Sequence, residues 1–279
     1  MILSKKGCRL GVTAAVLFAG GMGIAILSAS AATLQEIESR GYMVVATEDD
    51  YKPFEFIEDG EPKGLDHELL ALLKKEAPFE IQQQIIPWTG LLAGVSTGKY
   101  DVALTAAVVT KERVESLDFT MPITEATYYY VARADDQSIK GVADLAGKTV
   151  GVQSGGASFA ALPELEAMLK ETGGSLGEVV QYTSFPEAYQ DLASGRLDYV
   201  VNGIINLTSL TNEQPDRFKL GQRVAAESFA AWAVAKGNGE LLTYLNEFMA
   251  KVRSDGTLYE LQKKWLGTSF PEMPEEVVP

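Results

Sequence analysis

The sequence predicts an α/β protein built from two Rossmann-like lobes that are joined by a two-strand hinge. The order strand, helix, strand, helix, strand occurs twice, within residues 41–104 and again within residues 147–201. The two runs share a turn, since Gly98-Lys99-Tyr100-Asp101-Val102 resembles Gly195-Arg196-Leu197-Asp198-Tyr199. Two more apolar, strand-like segments, Tyr128–Arg133 and Phe229–Ala235, lie near the two points where the chain is expected to cross between lobes. One continuous sheet with coincidental turns is the alternative.

The elements of the first run follow from apolar periodicity and from Gly and Pro positions. Leu34–Arg40 has a helical pattern that ends at Gly41, and Asp66 is placed to cap a second helix that Pro78 ends. Residues 42–46 are apolar and rich in β-branched side chains, as in a buried strand. In chain order we expect a strand at 42–46, a loop at 47–53, a helix from 66 to about 76, a strand at 81–86, a helix from Trp88 to about Gly98 and a strand at 102–104.

The second run repeats this order and is followed by a return to the first lobe. We expect a strand within 147–153, a helix at about 159–171, the strand Val179–Tyr182, a helix at 186–194 and a strand at 199–201. Tyr128–Arg133 is expected to end the strands of the first lobe, and the helices at 241–252 and 257–265 are expected to pack back on it. These assignments place lobe 1 at residues 32–129 and 229–279, and lobe 2 at residues 130–228.

Charge and composition exclude several classes of function. The 279 residues include 24 Lys and Arg against 38 Asp and Glu, a net charge of −14, and no basic cluster that would neutralise nucleic-acid phosphates. A single Cys and a single His leave too few thiol and imidazole ligands for a zinc site. We therefore expect no nucleic acid, no metal and no cofactor, and a function that depends on carboxylates, arginine, aromatic rings and backbone groups.

Residues 1–31 have the order of a secretory signal peptide. Lys5, Lys6 and Arg9 precede residues 11–27, which carry no charge, and Ser28-Ala29-Ser30-Ala31 is a small-residue cleavage pattern. An uncleaved membrane anchor is the alternative, although four glycines in the segment disfavour a spanning helix. Cleavage near Ala31 removes three basic residues and Cys8, which takes the net charge to −17 and leaves no Cys. These features favour a bacterial periplasm.

Ligands of open α/β sheets bind beyond the carboxyl ends of the strands, here the loops expected at residues 47–53, 105–113, 154–158 and 202–206. Arg113 follows one strand and offers a planar fork for a carboxylate, although it could equally pair with Glu112 or Glu115 at the surface. Glu48 lies in an acidic turn beside Tyr51, so it could hold a cationic group or simply be solvated.

The remaining candidates are aromatic or backbone groups. Trp88 could line an apolar pocket or only pack between a helix and the sheet. The amides of Gly155, Gly156 and Ala157 precede a helix and could bind an anion, or could form only a tight turn. His67 is expected to be exposed and without a role, and no Ser-His-Asp or Cys-His arrangement is indicated.

Ten short sequence segments, in this order, resemble the periplasmic solute-binding proteins of ABC transporters, in particular the group that binds polar amino acids. They are Tyr51-Lys52-Pro53-Phe54-Glu55-Phe56, Gly64-Leu65-Asp66, Trp88-Thr89-Gly90-Leu91, Gly98-Lys99-Tyr100-Asp101-Val102, Thr110-Lys111-Glu112-Arg113 with Asp118-Phe119, Asp144-Leu145-Ala146-Gly147-Lys148, Val150-Gly151-Val152-Gln153-Ser154-Gly155, and Asp255-Gly256-Thr257 with Lys264-Trp265. The resemblance implies the type II periplasmic binding protein fold, and a monomer that delivers a small solute to a permease in the inner membrane.

The resemblance also implies roles for particular residues. It implies that Arg113 binds the ligand carboxylate, together with backbone groups near Ala106 and Ala157. It also implies that Tyr51 and Trp88 line the pocket, and that Glu48 binds a polar or cationic side chain of the ligand. Two positions depart from the family pattern. Val108 stands where a hydroxyl residue usually helps to hold the carboxylate, and Gly203 stands where an Asp usually pairs with the ligand ammonium. Asn202, next to it, can form hydrogen bonds but cannot neutralise an ammonium.

We therefore expect a non-enzymatic binder of a small carboxylate-bearing solute, either an amino acid or a derivative. Because an unpaired buried ammonium is costly, a compatible solute without a primary α-amine, such as ectoine or a betaine, is the main alternative. Resemblance to the cyclohexadienyl dehydratases, which are similar to amino-acid-binding proteins, adds an enzymatic alternative in which Glu48 donates a proton.

Overall fold

The computed structural model describes Met1 and residues 31–277. The expected signal peptide, together with Cys8, lies almost entirely outside the described residues. In residues 31–277 none of the helices combines the length and the apolar character needed to span a membrane.

Helices and strands alternate along most of the chain. In order they are α1 (Leu34–Arg40), β1 (Tyr42–Glu48), β2 (Asp50–Tyr51), β3 (Glu55–Glu58), β4 (Glu61–Lys63), α2 (Leu65–Glu76), β5 (Glu80–Ile86), α3 (Leu91–Ser96), β6 (Val102–Val108), β7 (Leu117–Phe119), β8 (Thr124–Glu125), β9 (Tyr128–Arg133), β10 (Val150–Gln153), α4 (Ala157–Ala160), α5 (Leu162–Glu171), β11 (Val179–Tyr182), α6 (Phe185–Ala193), β12 (Tyr199–Gly203), α7 (Ile204–Glu213), β13 (Phe218–Arg223), β14 (Phe229–Ala235), α8 (Gly239–Ser254) and α9 (Thr257–Leu266).

Two separate sheets confirm the predicted two-lobe α/β fold. The first sheet has the order β5-β1-β6-β14-β7, with β8 also paired to β14, and the second has the order β11-β10-β12-β9-β13. Three strands of each sheet are parallel, and the fourth strand in order, β14 or β9, is antiparallel to its neighbour. We call the first sheet with its helices lobe 1 and the second sheet with α4–α7 lobe 2.

The chain passes between the lobes twice, and the two passages lie side by side. The Ala126 amide donates to the Ser228 carbonyl over 2.8 Å, which joins the segment before β9 to the segment before β14. The expectation that Tyr128–Arg133 ends the strands of lobe 1 is wrong. This strand pairs along five residues with β12 and lies in the second sheet. Each passage therefore delivers one antiparallel strand to the lobe that the chain is entering.

Two strands are longer than the sequence indicated, so the expected loops after them are shorter. β1 continues through Thr47 to Glu48 because those residues pair with Ile85 and Ile86 of β5. β6 continues through Thr105 to Val108, opposite Ala230 of β14. Burial of every residue of β6 explains the error, because a strand covered on both faces has no alternation to mark its end.

Four other local predictions are wrong for identifiable reasons. Asp66 does not cap α2, which begins at Leu65 with Gly64 as its N-cap residue, and the Asp66 side chain turns inward to Trp232. The helix expected from Trp88 begins only at Leu91. The helix expected at residues 159–171 is divided between α4 and α5, because the break lies next to Pro163, whose ring nitrogen has no hydrogen to donate. The loop expected at residues 202–206 is the end of β12 and the start of α7. The hairpin β3–β4 was not predicted.

Candidate ligand-binding cleft

A narrow cleft separates the carboxyl ends of the parallel strands of the two lobes. Its cavity has a volume of only about 20 Å³, close to the space that one water molecule needs. Nine of the ten predicted site residues line this cavity: Glu48, Tyr51, Trp88, Ala106, Val108, Arg113, Gly156, Ala157 and Asn202. The tenth, Gly155, does not line the cavity itself, but its carbonyl accepts a hydrogen bond from Arg113, which does.

Arg113 joins the two lobes. It begins a short 3₁₀ turn, Arg113–Glu115, and its guanidinium donates to the Val108 carbonyl over 2.8 Å and to the Gly155 carbonyl over 3.3 Å. The same group lies 5.0 Å from the ring centre of Trp88. Burial lowers the pKa of Arg113, but a guanidinium ordinarily titrates so far above neutrality that it stays charged. Two of its five N–H groups are thus engaged with carbonyls, and it forms no ion pair with Glu112 or Glu115 in the described part of the chain.

Glu48 is buried at the end of β1, with 1% of its surface exposed, so the solvated-turn alternative is wrong. Burial raises the pKa of Glu48 well above its usual range, and the charge of Asp50 raises it further. The Gln153 side-chain amide of lobe 2 donates to Glu48 over 3.3 Å. A buried carboxyl in this setting is poised either to hold a cation or to remain protonated.

Aromatic rings form the walls beside these polar groups. Tyr51 stacks on Phe185 of lobe 2 with a centroid distance of 6.1 Å, and Trp88 is 9% exposed beneath Arg113. Tyr128, at the start of β9, is buried against the same cavity. Any ligand in the closed cleft is therefore surrounded by rings of both lobes.

The turn after β10 supplies backbone groups from lobe 2. Gly155 has a positive φ of 66°, which turns its carbonyl toward Arg113, and α4 begins at Ala157. The backbone amide of Gln153 donates to the Ser158 hydroxyl over 3.3 Å. This bond helps to hold Gln153 in place, whose side chain contacts Glu48. The roles of Gly156 and Ala157 in anion binding stay a prediction.

Asn202 is already engaged within lobe 2. Its side-chain amide donates to the Tyr189 hydroxyl over 2.9 Å, and its side-chain oxygen accepts from the Gly203 amide over 2.7 Å. A Cβ at Gly203 would approach the Asn206 side chain to 3.0 Å. The position at which the family resemblance places an acid thus carries no side chain.

The prediction that His67 is exposed is wrong. It is 8% exposed on α2, away from the cleft, and its Nδ1 lies 2.9 Å from the Gln83 side-chain amide. The sequence could not reveal this, because the acidic neighbours Asp66 and Glu68 resemble those of a surface helix. No group of three or more potential metal ligands occurs within residues 31–277.

Five residues that line the cavity were not predicted: Ala107, Tyr128, Gln153, Ser158 and Phe185. Of these five residues, Gln153 could most easily have been predicted from the sequence, because it is a polar residue that directly follows the apolar strand segment at 150–152. Phe185 and Tyr128 look like ordinary core aromatics in the sequence.

Comparison with known proteins agrees with this architecture. The family model described as bacterial extracellular solute-binding proteins, family 3, matches residues 43–268. The L-cystine-binding protein TcyJ of Escherichia coli strain K12 is 30% identical over 92% of this chain and 94% of its own, and the arginine-binding extracellular protein ArtP of Bacillus subtilis is 29% identical over 94% and 98%. The crystal structure of the ancestral amino acid-binding protein AncCDT-1, a precursor of cyclohexadienyl dehydratase, is 28% identical with a TM-score of 0.73, over 83% of this chain and 98% of that one. The chain therefore belongs to the bacterial extracellular solute-binding proteins of family 3.

Proposed function

We propose that this protein captures a small solute bearing a carboxylate between its two lobes and presents it to an ABC permease of the inner membrane. The observation that carries the proposal is Arg113, a charged fork held between the lobes where two of its N–H groups satisfy carbonyls in place of an anion. The relatives named for cystine and arginine binding support an amino acid or an amino-acid derivative as the solute. The segment at residues 1–31 supports export to the periplasm.

Binding is coupled to hinge closure. Arg113, Glu48 and Tyr51 come from lobe 1, whereas Gln153 and the turn at Gly155 come from lobe 2. A ligand that contacts both groups gains its full interaction energy only when the cleft is closed. It therefore shifts the population toward the closed form, which a permease can distinguish from the open one.

The charges of the cavity point to a particular arrangement of the solute. Among the residues that line it, Glu48 is the single carboxyl group and Arg113 the single cation. With Gly203 at the position usually occupied by an acid, an ammonium or amidinium group is best placed against Glu48, Tyr51 and Trp88. This arrangement suits an amino acid with a polar or cationic side chain, and also suits a compatible solute such as ectoine or a betaine.

An enzyme is the second candidate, because one solved relative is named as a precursor of cyclohexadienyl dehydratase and the raised pKa of Glu48 suits a proton donor. Incubation of the purified protein with prephenate or arogenate, followed by product analysis, distinguishes the two. Turnover that Glu48→Gln abolishes would favour the enzyme, and binding without turnover would favour the carrier.

A thermal-shift screen of amino acids, betaines, ectoines and opines, followed by titration calorimetry, tests the proposed function. A ligand at one hundred times its Kd stabilises the folded protein by about 2.7 kcal/mol. Arg113→Ala is expected to weaken that ligand at least about tenfold, because a charged hydrogen bond is worth roughly 1.5–3 kcal/mol. Lys111→Ala, an exposed cation two residues away, is the control. Unchanged affinity in Arg113→Ala would contradict the assigned orientation.

A further inference from the structure

A second and larger cavity lies beside the cleft. We call it the distal chamber; it has a volume of about 260 Å³ and lies between the turn at residues 50–52 of lobe 1 and the helices α6 and α7 of lobe 2. Tyr51, Phe185 and Asn202 line both this chamber and the small cavity that contains Arg113. These three side chains are thus a shared wall between the two spaces.

The volumes show where a solute has room. The cavity at Arg113 accommodates little more than one water molecule, whereas the distal chamber is about ten times as large. Under the proposed function Arg113 holds the carboxylate, so the rest of a longer molecule needs space beyond the first cavity. The adjoining space that shares its wall is the distal chamber.

Aromatic rings cover one side of the chamber. Tyr51 stacks on Phe185 at 6.1 Å, Phe185 on Tyr189 at 5.9 Å, and Tyr189 lies 6.2 Å from Phe218. The row begins at the shared wall and continues outward beneath α7. Ring faces of this kind attract both flat groups and organic cations.

Carboxylates predominate among the charges of the chamber that have no ion pair within residues 31–277. Asp50 is half-buried, forms hydrogen bonds with Ser184 and Glu48, and lies close to other carboxyl groups. Glu213, at the exposed end, accepts a hydrogen bond from the Ser209 hydroxyl over 3.3 Å.

Of the two cations of the chamber, only Lys52 is neutralised, by an ion pair with Glu58 at 3.2 Å. Arg217 has no ion pair among residues 31–277; it donates to the neutral side chain of Gln214 over 2.6 Å. Two carboxylates without an ion pair therefore stand against one such cation, and together with the ring faces this excess of negative charge suits a positively charged group.

We propose that the distal chamber is a second subsite, which takes the cationic far end of an elongated zwitterion whose carboxylate is held at Arg113. This inference rests on the proposed function and narrows its ligand class to molecules that extend beyond the cavity at Arg113 and carry charges at opposite ends. The far end passes the shared wall formed by Tyr51, Phe185 and Asn202, and its cation lies near Asp50.

Calorimetric titration with a graded set of zwitterions tests the subsite. The probes are glycine, glycylglycine and triglycine, with N-acetylglycine and N-acetylglycylglycine as counterparts that lack the terminal ammonium. Affinity is expected to rise from glycine to the longer peptides. N-acetylation and Asp50→Asn are each expected to lower it about tenfold, because each removes one charged partner.

A blocking variant separates the chamber from the site at Arg113. Ser209→Trp fills the chamber from α7 and is expected to reduce the affinity for the longer peptides to that for glycine, whereas Asn212→Trp, on the exposed side of the same helix, is the matched control. The inference is overturned if length and N-acetylation have no effect, if Ser209→Trp binds triglycine as the control does, or if no peptide binds. In those cases the dependence of any bound ligand on Arg113 still tests the proposed function separately.

Discussion

Two buried carboxyl groups beneath the cleft share a polar site in lobe 1. Glu55 and Asp66 are both 0% exposed; Glu55 accepts a hydrogen bond from Thr105, and Asp66 accepts one from the Trp232 indole over 2.7 Å. Each retains one oxygen without a partner, Oε2 of Glu55 and Oδ2 of Asp66. A proton shared between the two carboxyl groups satisfies both oxygens. Thr105 lies in β6, one residue before Ala106, so this pair also supports the strand that leads to the cavity in the cleft.

The pair makes the stability of the protein depend on pH. Burial and the charge of Asp66 raise the pKa of Glu55, and burial raises the pKa of Asp66 to about 6. In the unfolded chain both groups lose their protons at about pH 4, so between pH 4 and at least 6 unfolding releases protons and a rise in pH destabilises the fold. We expect the free energy of unfolding to fall by up to about 1.4 kcal/mol per pH unit per proton in this range.

Urea unfolding at a series of pH values measures this slope. Glu55→Gln keeps a hydrogen-bond donor toward Asp66 without a titrating proton, so it should flatten the slope, whereas the exposed Glu58→Gln should not. An unchanged slope in Glu55→Gln would show that the proton is bound elsewhere.

His67 titrates in the opposite sense. Burial, and secondly the charge of Lys74, lowers the pKa of His67 to about 4. Because unfolded histidine takes up its proton near pH 6.5, this group stabilises the fold above that pH, and its contribution is lost as the pH falls toward 4. As the one histidine of the chain, it gives an unambiguous imidazole signal in proton NMR of untagged protein. We expect the imidazole signal of His67 to titrate with a midpoint near pH 4, and this midpoint to rise in the variant Lys74→Gln. A midpoint at pH 6 or higher would contradict the burial of His67.

At the scale of elements, the start of α2 fixes the loop that carries Tyr51 and Glu55. Gly64 has a φ of 121°, and a Cβ there would lie 2.1 Å from the Phe54 carbonyl oxygen. That carbonyl also accepts the Asp66 amide over 2.9 Å, so it cannot move away without loss of a hydrogen bond. Close packing of backbone on backbone therefore requires glycine at this position.

Gly64→Ala is expected to destabilise the fold by about 3 kcal/mol or more, since it combines an unfavourable φ with a steric clash. Gly60→Ala is the control, because Gly60 has a φ of 80° but open space around its Cβ position; it should cost only about 1–2 kcal/mol. Thermal unfolding of the two variants measures the difference. Equal losses would show that the contact with Phe54 has relaxed.

In the whole molecule, hydrogen bonds between the lobes, three of them among the side chains of residues 31–277 that lie near the cleft, hold the lobes in their present arrangement. Gln153 donates to Glu48 over 3.3 Å, Arg113 to Gly155 over 3.3 Å, and the Asn206 side chain to the Lys52 carbonyl over 2.6 Å. Each crosses from one lobe to the other, and each depends on a residue near the cleft. Under the proposed hinge closure, we expect these weak polar contacts, the ring contact of Tyr51 with Phe185 and the ligand to set the equilibrium between open and closed forms.

Removal of two of these contacts should open the protein. Each hydrogen bond contributes about 0.5–1.5 kcal/mol, so the double variant Gln153→Ala with Asn206→Ala is expected to shift the equilibrium toward the open form by about 1–3 kcal/mol. Small-angle X-ray scattering should show a larger radius of gyration without ligand, and saturating ligand should restore the smaller one. Asn212→Ala, exposed on α7, is the control; an identical scattering curve for the double variant would mean that these contacts do not hold the cleft closed.

Sequence patterns were enough to predict the local elements with strong periodicity, the repeated order of strands and helices, and most residues that line the cavity in the cleft. These features depend on side-chain patterns within short segments and on the rule that strand ends meet at one edge of a sheet. It failed where both faces of a strand are covered, as at Thr105 to Val108, and where a polar residue is buried by a distant partner, as at Asp66 with Trp232 or His67 with Gln83.

Three features become visible only in the folded protein: the lobe that receives Tyr128–Arg133, the way in which Arg113 spans the cleft, and the large chamber beside a nearly filled cavity. The physical reason is that these features arise from contacts between residues far apart in the chain. Strand pairing, the burial of Glu48 and the shared wall formed by Tyr51, Phe185 and Asn202 exist only once two lobes are placed face to face. The presence of a single His and a single Cys already limited the kinds of site that this chain can form. The positions of a few buried charged groups, which only the fold shows, define the candidate binding site.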